Sequence, residues 1–587
     1  MLAHLASEGT YNSHASPKSI RAIEKNYRDK GTCKHALMLF GVGDGGGGPG
    51  TNHLEYLDRL KDFAGFSPVE QRFARDLFAL IQQDSHRYNQ WKGELYFEYH
   101  RGTYTSQAST KWYNRKLEYG LRELEFAYVL AEKYAGLSFP KQEVDDIWRE
   151  VLLYQFHDIL PGSSIKRVYD ECNARYEQLY TRVNELISAA YSSVASGETA
   201  FNSLSFPREE YIRHSNAWYK LKLPGMGSAK LEPLPAINSV TADDSALENE
   251  CLRVIFGQDG TILSVYDKTA KREALAPGTC ANRFSVYDDR DGNAWDIQIY
   301  YEEQTPRCFT FQSASFEIDG PNAVRTQIFK FGKSTLRQSI VLQAGCPYLT
   351  FDTYVDWHES EKMLRTAFDV DVYTDEVTCD IQFGTIKRPT HRNTSWDMTR
   401  FEICAHKWID LSRADYGVAL LNDSKYGHRA IGNTMDIALL RSSIHPGVEA
   451  DQGAHRFRYA FYPHKGDEKA ALVEPFALAF NIPPVVVSGT AKTAPPPFLS
   501  LSCPNIETVA VKPAEDGDGV ILRFYETDGV STHCKLTLPP GRNRVVATDL
   551  MEREVEAMTV RDQDVVLDFG PYEILTLRVK GDYVETA

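Results

Sequence analysis

The sequence predicts a multidomain α+β protein: a short α/β piece, a helical bundle, then antiparallel β-sandwich domains. Apolar residues recur with a helical period from about residue 51 to 195, and a period of two replaces it after Gly197. The chain's 587 residues, 42% hydrophobic and 12% aromatic, suffice for several buried cores. At roughly 150 residues per domain this length accommodates three or four domains.

The opening segment supports only a fragment of an α/β unit. Ser19 begins a helical stretch ending at Asn26, and the apolar run 36–40 has strand length and feeds a glycine loop at 41–50. One such unit cannot bury both faces of a parallel sheet, so the chain is expected to begin in mid-domain. Ser67-Pro68-Val69-Glu70 has the form of a capping box with proline at the first helical position, and Phe73, Leu77, Leu80 and Ile81 follow on one face. Further stripes are Tyr113, Leu117, Leu121, Leu124 and Tyr128; then Val144, Trp148, Val151 and Gln155; then Tyr169, Cys172, Tyr176, Leu179, Val183, Leu186 and Ala190. Beyond them, 252–256 and 261–266 flank the turn Gln258-Asp259-Gly260 as a hairpin, and alternating runs recur at 309–316, 323–331, 348–357 and 368–372. The expected divisions are 1–50, 51–196, 197–481, a proline-rich linker at 482–498, and a small β domain at 499–587.

Charge and composition narrow the function. A net charge of −15 repels phosphate backbones and no local basic patch stands out, so nucleic acid is not an expected partner. No run of about 18 apolar residues is present to span a bilayer, and the first residues lack a charged and an apolar signal region. Ten cysteines without a Cys-x-x-Cys pair are expected to be reduced thiols of an intracellular protein, although an even count permits pairing.

Three segments carry candidate chemistry. Glycines around Asp44 let backbone approach a ligand, and the carboxylate is placed to act as acid, base or hydrogen-bond partner; a structural turn explains the loop equally well. The loop lacks Gly-Lys-Ser/Thr and is no phosphate-binding Walker loop. His157 and Asp158 lie where one helix stops and another starts; imidazole there binds metal or simply bonds a helix end, and one His with one Asp does not complete a zinc site. Residues 94–107 mix charges, rings and hydroxyls, as a cleft wall or a solvated loop does.

Taken in order, GDGGGGP (43–49), HRGTYTSQ (100–107) and QFHDILPGSS (155–164) resemble glycoside hydrolase family 38, the class II α-mannosidases, and within it the cytosolic or vacuolar subgroup. The stretches 201–205, 247–250, 293–296, 388–397 and 405–408 support the resemblance, which covers most of the chain from about residue 10 to 579. It implies a retaining α-mannosidase with one Zn2+ ion, acting on mannose-containing oligosaccharides. Carried over by motif position, His157 is a zinc ligand, Asp158 contacts sugar hydroxyls, Asp44 is the acid/base, and Trp295 with Asp296 lines the sugar subsite. The family's His-x-Asp ligands and nucleophilic aspartate have no counterpart here, so the resemblance implies the remnant of an α/β barrel, an incomplete zinc site and a weakly active or inactive chain. It further implies a cytoplasmic or vacuolar protein, and apolar surface left by the barrel favours homo-oligomers. The alternative is a noncatalytic carbohydrate-binding fragment. A different metallohydrolase built on His157 needs more ligands, for which His100 is the nearby candidate.

Overall fold

The computed structural model describes every residue except 46, 235, 236, 238, 291, 542, 543 and 582–587. Gly46 of the glycine loop and the end of the expected last domain therefore lie outside the described residues. Contacts divide the chain into two units, Met1–Leu95 and Tyr96–Ala587.

In the first unit, helix α1 (Pro17–Asn26) starts where Ser16 Oγ accepts the Ser19 amide, with proline in its first turn. The strand expected at 36–40 is reduced to a single parallel bridge between Phe40 and Ser13, because among the described residues no neighbouring strand extends the pairing. Helix α2 (Thr51–Leu60) follows the glycine loop. The helix expected from Ser67 begins only at Ala74, as α3 (Ala74–Gln82). Ser67 and Val69 use their amides elsewhere, on Glu24 Oε1 and the Lys61 carbonyl, and Asp76 instead caps the Phe73 amide. Of the expected apolar face only Ile81 is buried, and Phe73 is 70% exposed.

The second unit opens with the bundle that the periodicity predicts: α4 (Ala108–Ala135), α5 (Lys141–Tyr154) and α6 (Lys166–Val194). Leu117, Leu121 and Leu124 of α4 share one core with Val144 and Val151 of α5 and with Tyr176, Leu179 and Val183 of α6. Gly136, with φ +67°, ends α4 by returning its amide to the carbonyls of Ala131 and Glu132.

Strands dominate from Ser196 onward. The expected hairpin forms between Leu252–Phe256 and Ile262–Asp267. Among the described residues a nine-stranded antiparallel sheet runs Thr310–Asp319, Asn322–Phe331, Ser334–Gln343, Leu349–Trp357, Gly453–Lys465, Tyr416–Asn422, Trp408–Ser412, Glu376–Ile381, Gly384–Pro389. A six-stranded sheet contributes Lys362–Asp369 and Thr434–Ser442 to the same core, where Phe351, Tyr459, Phe368 and Phe461 stack. The run expected as a strand at 368–372 is thus the end of Lys362–Asp369. The proline-rich segment expected as a linker carries the strand Val485–Thr490, which pairs antiparallel with Ser196–Asn202 beside the end of α6. Five-stranded and three-stranded sheets follow from Ser500 to Lys580. The ten cysteines are unpaired, and no helix among the described residues is long and apolar enough to cross a membrane.

Candidate active site

In the first unit Asp44 is exposed at φ +56°, and its Oδ1 accepts the Tyr11 hydroxyl at 2.5 Å. That bond, made to a carboxylate, pushes the Tyr11 phenol up from its ordinary value.

In the second unit, chain segments that lie far apart in sequence meet around Ser106. Its Oγ bonds the carbonyls of Gly102 and Ala294, each at 3.0 Å, and accepts Arg441 Nη1 at 3.1 Å. The Gly102 amide donates to the Trp295 carbonyl at 2.8 Å, so residues 100–107 and 293–296 are joined through backbone. Residues 155–164 press on the same point: a Cβ on Gly162, which sits at φ +96°, would come within 2.6 Å of Ser106. A Cβ on Gly102 would come within 2.2 Å of Arg441 Nη1, which leaves no space for another residue there.

Charged groups hold this junction from behind. Lys111 Nζ, on the first turn of α4, donates to the carbonyls of Ser106 at 2.5 Å and Leu160 at 2.8 Å, joining the HRGTYTSQ and QFHDILPGSS segments. Burial lowers the Lys111 ammonium to about 7. Asp451 accepts the amides of Gln107 and Ala108, both at 2.7 Å, and so caps α4 with a side chain from 343 residues downstream. Arg441, fully buried, lies 2.9 Å from Asp289 and bonds the Ala294 carbonyl at 3.0 Å. These three positioning residues escaped sequence reasoning, although Arg441 left a signal as a lone cation in the apolar strand Thr434–Ser442.

His157 and Asp158 sit at the solvent side of the junction, with side chains 79% and 47% exposed and Nε2 3.7 Å from Oδ2. The Asp158 backbone is fixed: its carbonyl accepts the Tyr169 hydroxyl at 3.0 Å and Ser164 Oγ at 2.9 Å. Ser163 Oγ approaches Asp158 Oδ1 at 3.3 Å, and Phe156 packs 4.1 Å from the His157 ring. Asp296 Oδ1 accepts the amides of Arg101 and Ile297, and its Oδ2 has no hydrogen-bond partner among the described residues. The half-buried Trp295 ring lies 5.9 Å from His445. The structure therefore gathers the segments bearing His157, Asp158, Trp295 and Asp296 within one unit, while Asp44 belongs to the other.

The fit to zinc is poor. Structural and catalytic zinc ions take three or four protein ligands, and among the described residues no three His, Cys, Asp or Glu side chains gather to hold a metal ion. His157 with Asp158 offers two donors.

Four family models match in chain order. Glycosyl hydrolases family 38 N-terminal domain matches residues 1–94, Alpha mannosidase middle domain 98–194, Glycosyl hydrolases family 38 C-terminal domain 247–449, and Glycosyl hydrolases family 38 C-terminal beta sandwich domain 505–577. The chain belongs to glycosyl hydrolases family 38. Among family relatives, Alpha-mannosidase 2C1 of Homo sapiens is 34% identical over 615 residues, covering 98% of this chain and 59% of that protein. The Alpha-mannosidase of Saccharomyces cerevisiae is 30% identical over 649 residues, covering 99% and 58%. This family 38 chain thus spans about three-fifths of the length of these relatives. The crystal structure of an alpha-mannosidase from Enterococcus faecalis V583 shares the fold, with a TM-score of 0.79 at 16% identity over 98% of this chain and 79% of that one.

Proposed function

We propose that this chain carries the sugar-contacting part of a retaining α-mannosidase, an enzyme that removes terminal α-D-mannosyl residues from oligosaccharides. The observation that supports the reading is the meeting of 100–107, 155–164 and 293–296 at Ser106, with the His157–Asp158 pair left open to solvent. Asp158 has its backbone anchored and its carboxylate half exposed, so it is set to accept sugar hydroxyls. Asp296 offers Oδ2 for the same purpose, and Trp295 offers a ring face. Asp44, on its exposed loop, is assigned the acid/base role.

Zinc, when bound, would orient the sugar hydroxyls with His157 as a ligand, but His157 and Asp158 alone are too few donors to hold it. A retaining route needs a nucleophilic carboxylate about 5 to 5.5 Å from the acid/base, and no aspartate of this chain is assigned that role. Turnover by the 587-residue chain is accordingly expected to be weak or nil. We extend the reading to a cytosolic or vacuolar location, the former supported by ten unpaired cysteines.

The test offers the purified chain p-nitrophenyl α-mannoside, β-mannoside and α-glucoside, with zinc and with a chelator. Binding selective for the α-mannoside, weakened about tenfold or more in Asp158→Asn, supports the proposal. Preference for another glycoside sinks it, and rapid zinc-dependent turnover removes the expectation of weak activity. The second reading is a noncatalytic carbohydrate-binding fragment, favoured by the absence of a three-ligand group among the described residues. Mannoside binding without turnover at any zinc concentration, and unchanged in Asp158→Asn, decides for it.

A further inference from the structure

Within the second unit, a cavity of about 1340 Å³ lies between α4, α5, the turn at 381–383 and the five-stranded C-terminal sheet. Its cations are already engaged. Arg122 gives its guanidinium to Ser203 and to the carbonyls of Thr508 and Val509. Lys407 lies 3.1 Å from Asp380 and 2.9 Å from Glu474, and Lys512 lies 2.6 Å from Glu515 and 2.8 Å from Glu552. Lys407 and Lys512 thus face carboxylates, while Arg122 keeps its charge but has its donors taken up by neutral oxygens, so an entering phosphate or sulfate finds few free N–H groups.

Three polar groups on the wall keep spare capacity. Glu125 uses one oxygen to accept Trp148 Nε1 at 3.0 Å, and its other oxygen has no partner among the described residues. The Tyr119 hydroxyl and the His406 ring nitrogens likewise have no hydrogen-bond partner among the described residues. Burial lifts the Glu125 carboxyl to about 7, and burial, with Arg115 next in weight, holds His406 down at about 3. Tyr119 and His406 are thus neutral at pH 7 and Glu125 is readily protonated, so the wall carries little charge at these positions while offering donors and acceptors. Phe139, Trp148 and Phe383 supply apolar surface between them. A few convergent polar groups among aromatic side chains are the usual make-up of a small-molecule site.

We propose that this cavity is a second carbohydrate site, taking a neutral, hydroxyl-rich oligosaccharide segment. Tyr119, Glu125 and His406 hydrogen-bond its hydroxyls and Trp148 covers an apolar sugar face. The site stands independently of hydrolysis at the Ser106 junction. It also gives a role to the 405–408 stretch, which the candidate active site leaves unused.

The experiment uses the full chain labelled with 5-fluorotryptophan, the Trp148 and Trp295 resonances being assigned with Trp148→Phe and Trp295→Phe. Mannotriose is titrated, with inositol hexakisphosphate as the anionic comparison. A saturable shift of the Trp148 signal, with affinity reduced about three- to tenfold in both Tyr119→Phe and Glu125→Gln, is expected. Tyr119→Phe removes one hydroxyl and Glu125→Gln exchanges one oxygen for an amide NH2 that donates and cannot accept, both with shape preserved, and unchanged melting confirms that the variants are folded. A Trp148 signal unmoved by mannotriose overturns the proposal, as does affinity unchanged in both variants. A shift of Trp295 alone also overturns it while leaving the mannosidase reading intact, and a Trp148 shift with Trp295 unmoved sustains the cavity site while counting against the sugar subsite at the Ser106 junction. An equal response to inositol hexakisphosphate refutes the neutral ligand class.

Discussion

Replacing Lys111 with methionine tests whether the junction at Ser106 is held by an amine that is largely neutral above pH 7. Lys111 is 5% exposed, and burial, opposed by the nearby Asp451 carboxylate, brings its ammonium from 10.5 to about 7. A neutral amine has two N–H groups, and two carbonyls, those of Ser106 and Leu160, receive them. One pKa unit corresponds to 1.36 kcal/mol, so the buried ammonium costs about 5 kcal/mol at pH 7 relative to the unfolded chain. Between about 7 and 10.5 the unfolded lysine binds more protons than the folded one, so this penalty shrinks as pH rises and the parent gains stability. Methionine carries no titration, but it leaves two buried carbonyls unpaired at about 1–3 kcal/mol each. Parent and variant are therefore expected to be of similar stability at pH 7. Between pH 7 and 9.5 the variant should fall behind by about 3 kcal/mol. Urea unfolding at the two pH values measures the gap, and amide exchange at residues 156–164 reports whether the His157 loop loosens locally. Parallel stability profiles for the two proteins across this range would refute the reasoning.

Other changes have equally definite outcomes. Asp451→Ala removes the cap of α4 and should cost about 0.5–2 kcal/mol in thermal unfolding, with faster amide exchange at Gln107 and Ala108. Arg365 is fully buried between Glu402 at 2.5 Å and Asp436 at 2.6 Å, so among the described residues Arg365→Met leaves the buried Glu402 with only the Tyr301 hydroxyl and Asp436 with only Arg429, and should destabilise by about 3–5 kcal/mol in urea unfolding. His428 is fully buried and held at about 4, so the unfolded imidazole binds the extra proton between 6.5 and about 4 and stability falls as pH drops through that window. His428→Gln should flatten this part of the acid limb by up to about 3 kcal/mol, seen as a smaller loss of melting temperature between pH 6.5 and 4.5.

The helices α4, α5 and α6 were legible because each keeps an apolar stripe at helical spacing along its length, and the stripes meet in one core. The start of α3 was not, because Ser67-Pro68-Val69-Glu70 satisfies a local capping rule that longer-range bonds override: Glu24, 43 residues upstream, takes the Ser67 amide. Proline content likewise disguised Val485–Thr490, whose pairing with Ser196–Asn202 depends on a strand almost 300 residues earlier. The same division runs through the candidate site. Motifs point to His157, Asp158, Trp295 and Asp296, since chemistry-bearing side chains stand in short recognisable strings. What brings those strings together is carried by isolated residues, Lys111 within an amphipathic helix, Arg441 within an apolar strand and Asp451 in a loop, each bonding backbone of the motif segments, with Arg441 also reaching the Ser106 hydroxyl. A backbone carbonyl or amide has no identity in the sequence, so a residue whose work is to hold one leaves only its own misplaced charge as a clue. Lys111, Arg441 and Asp451 all show that mark, a charged group less than 10% exposed beside a segment named for its chemistry.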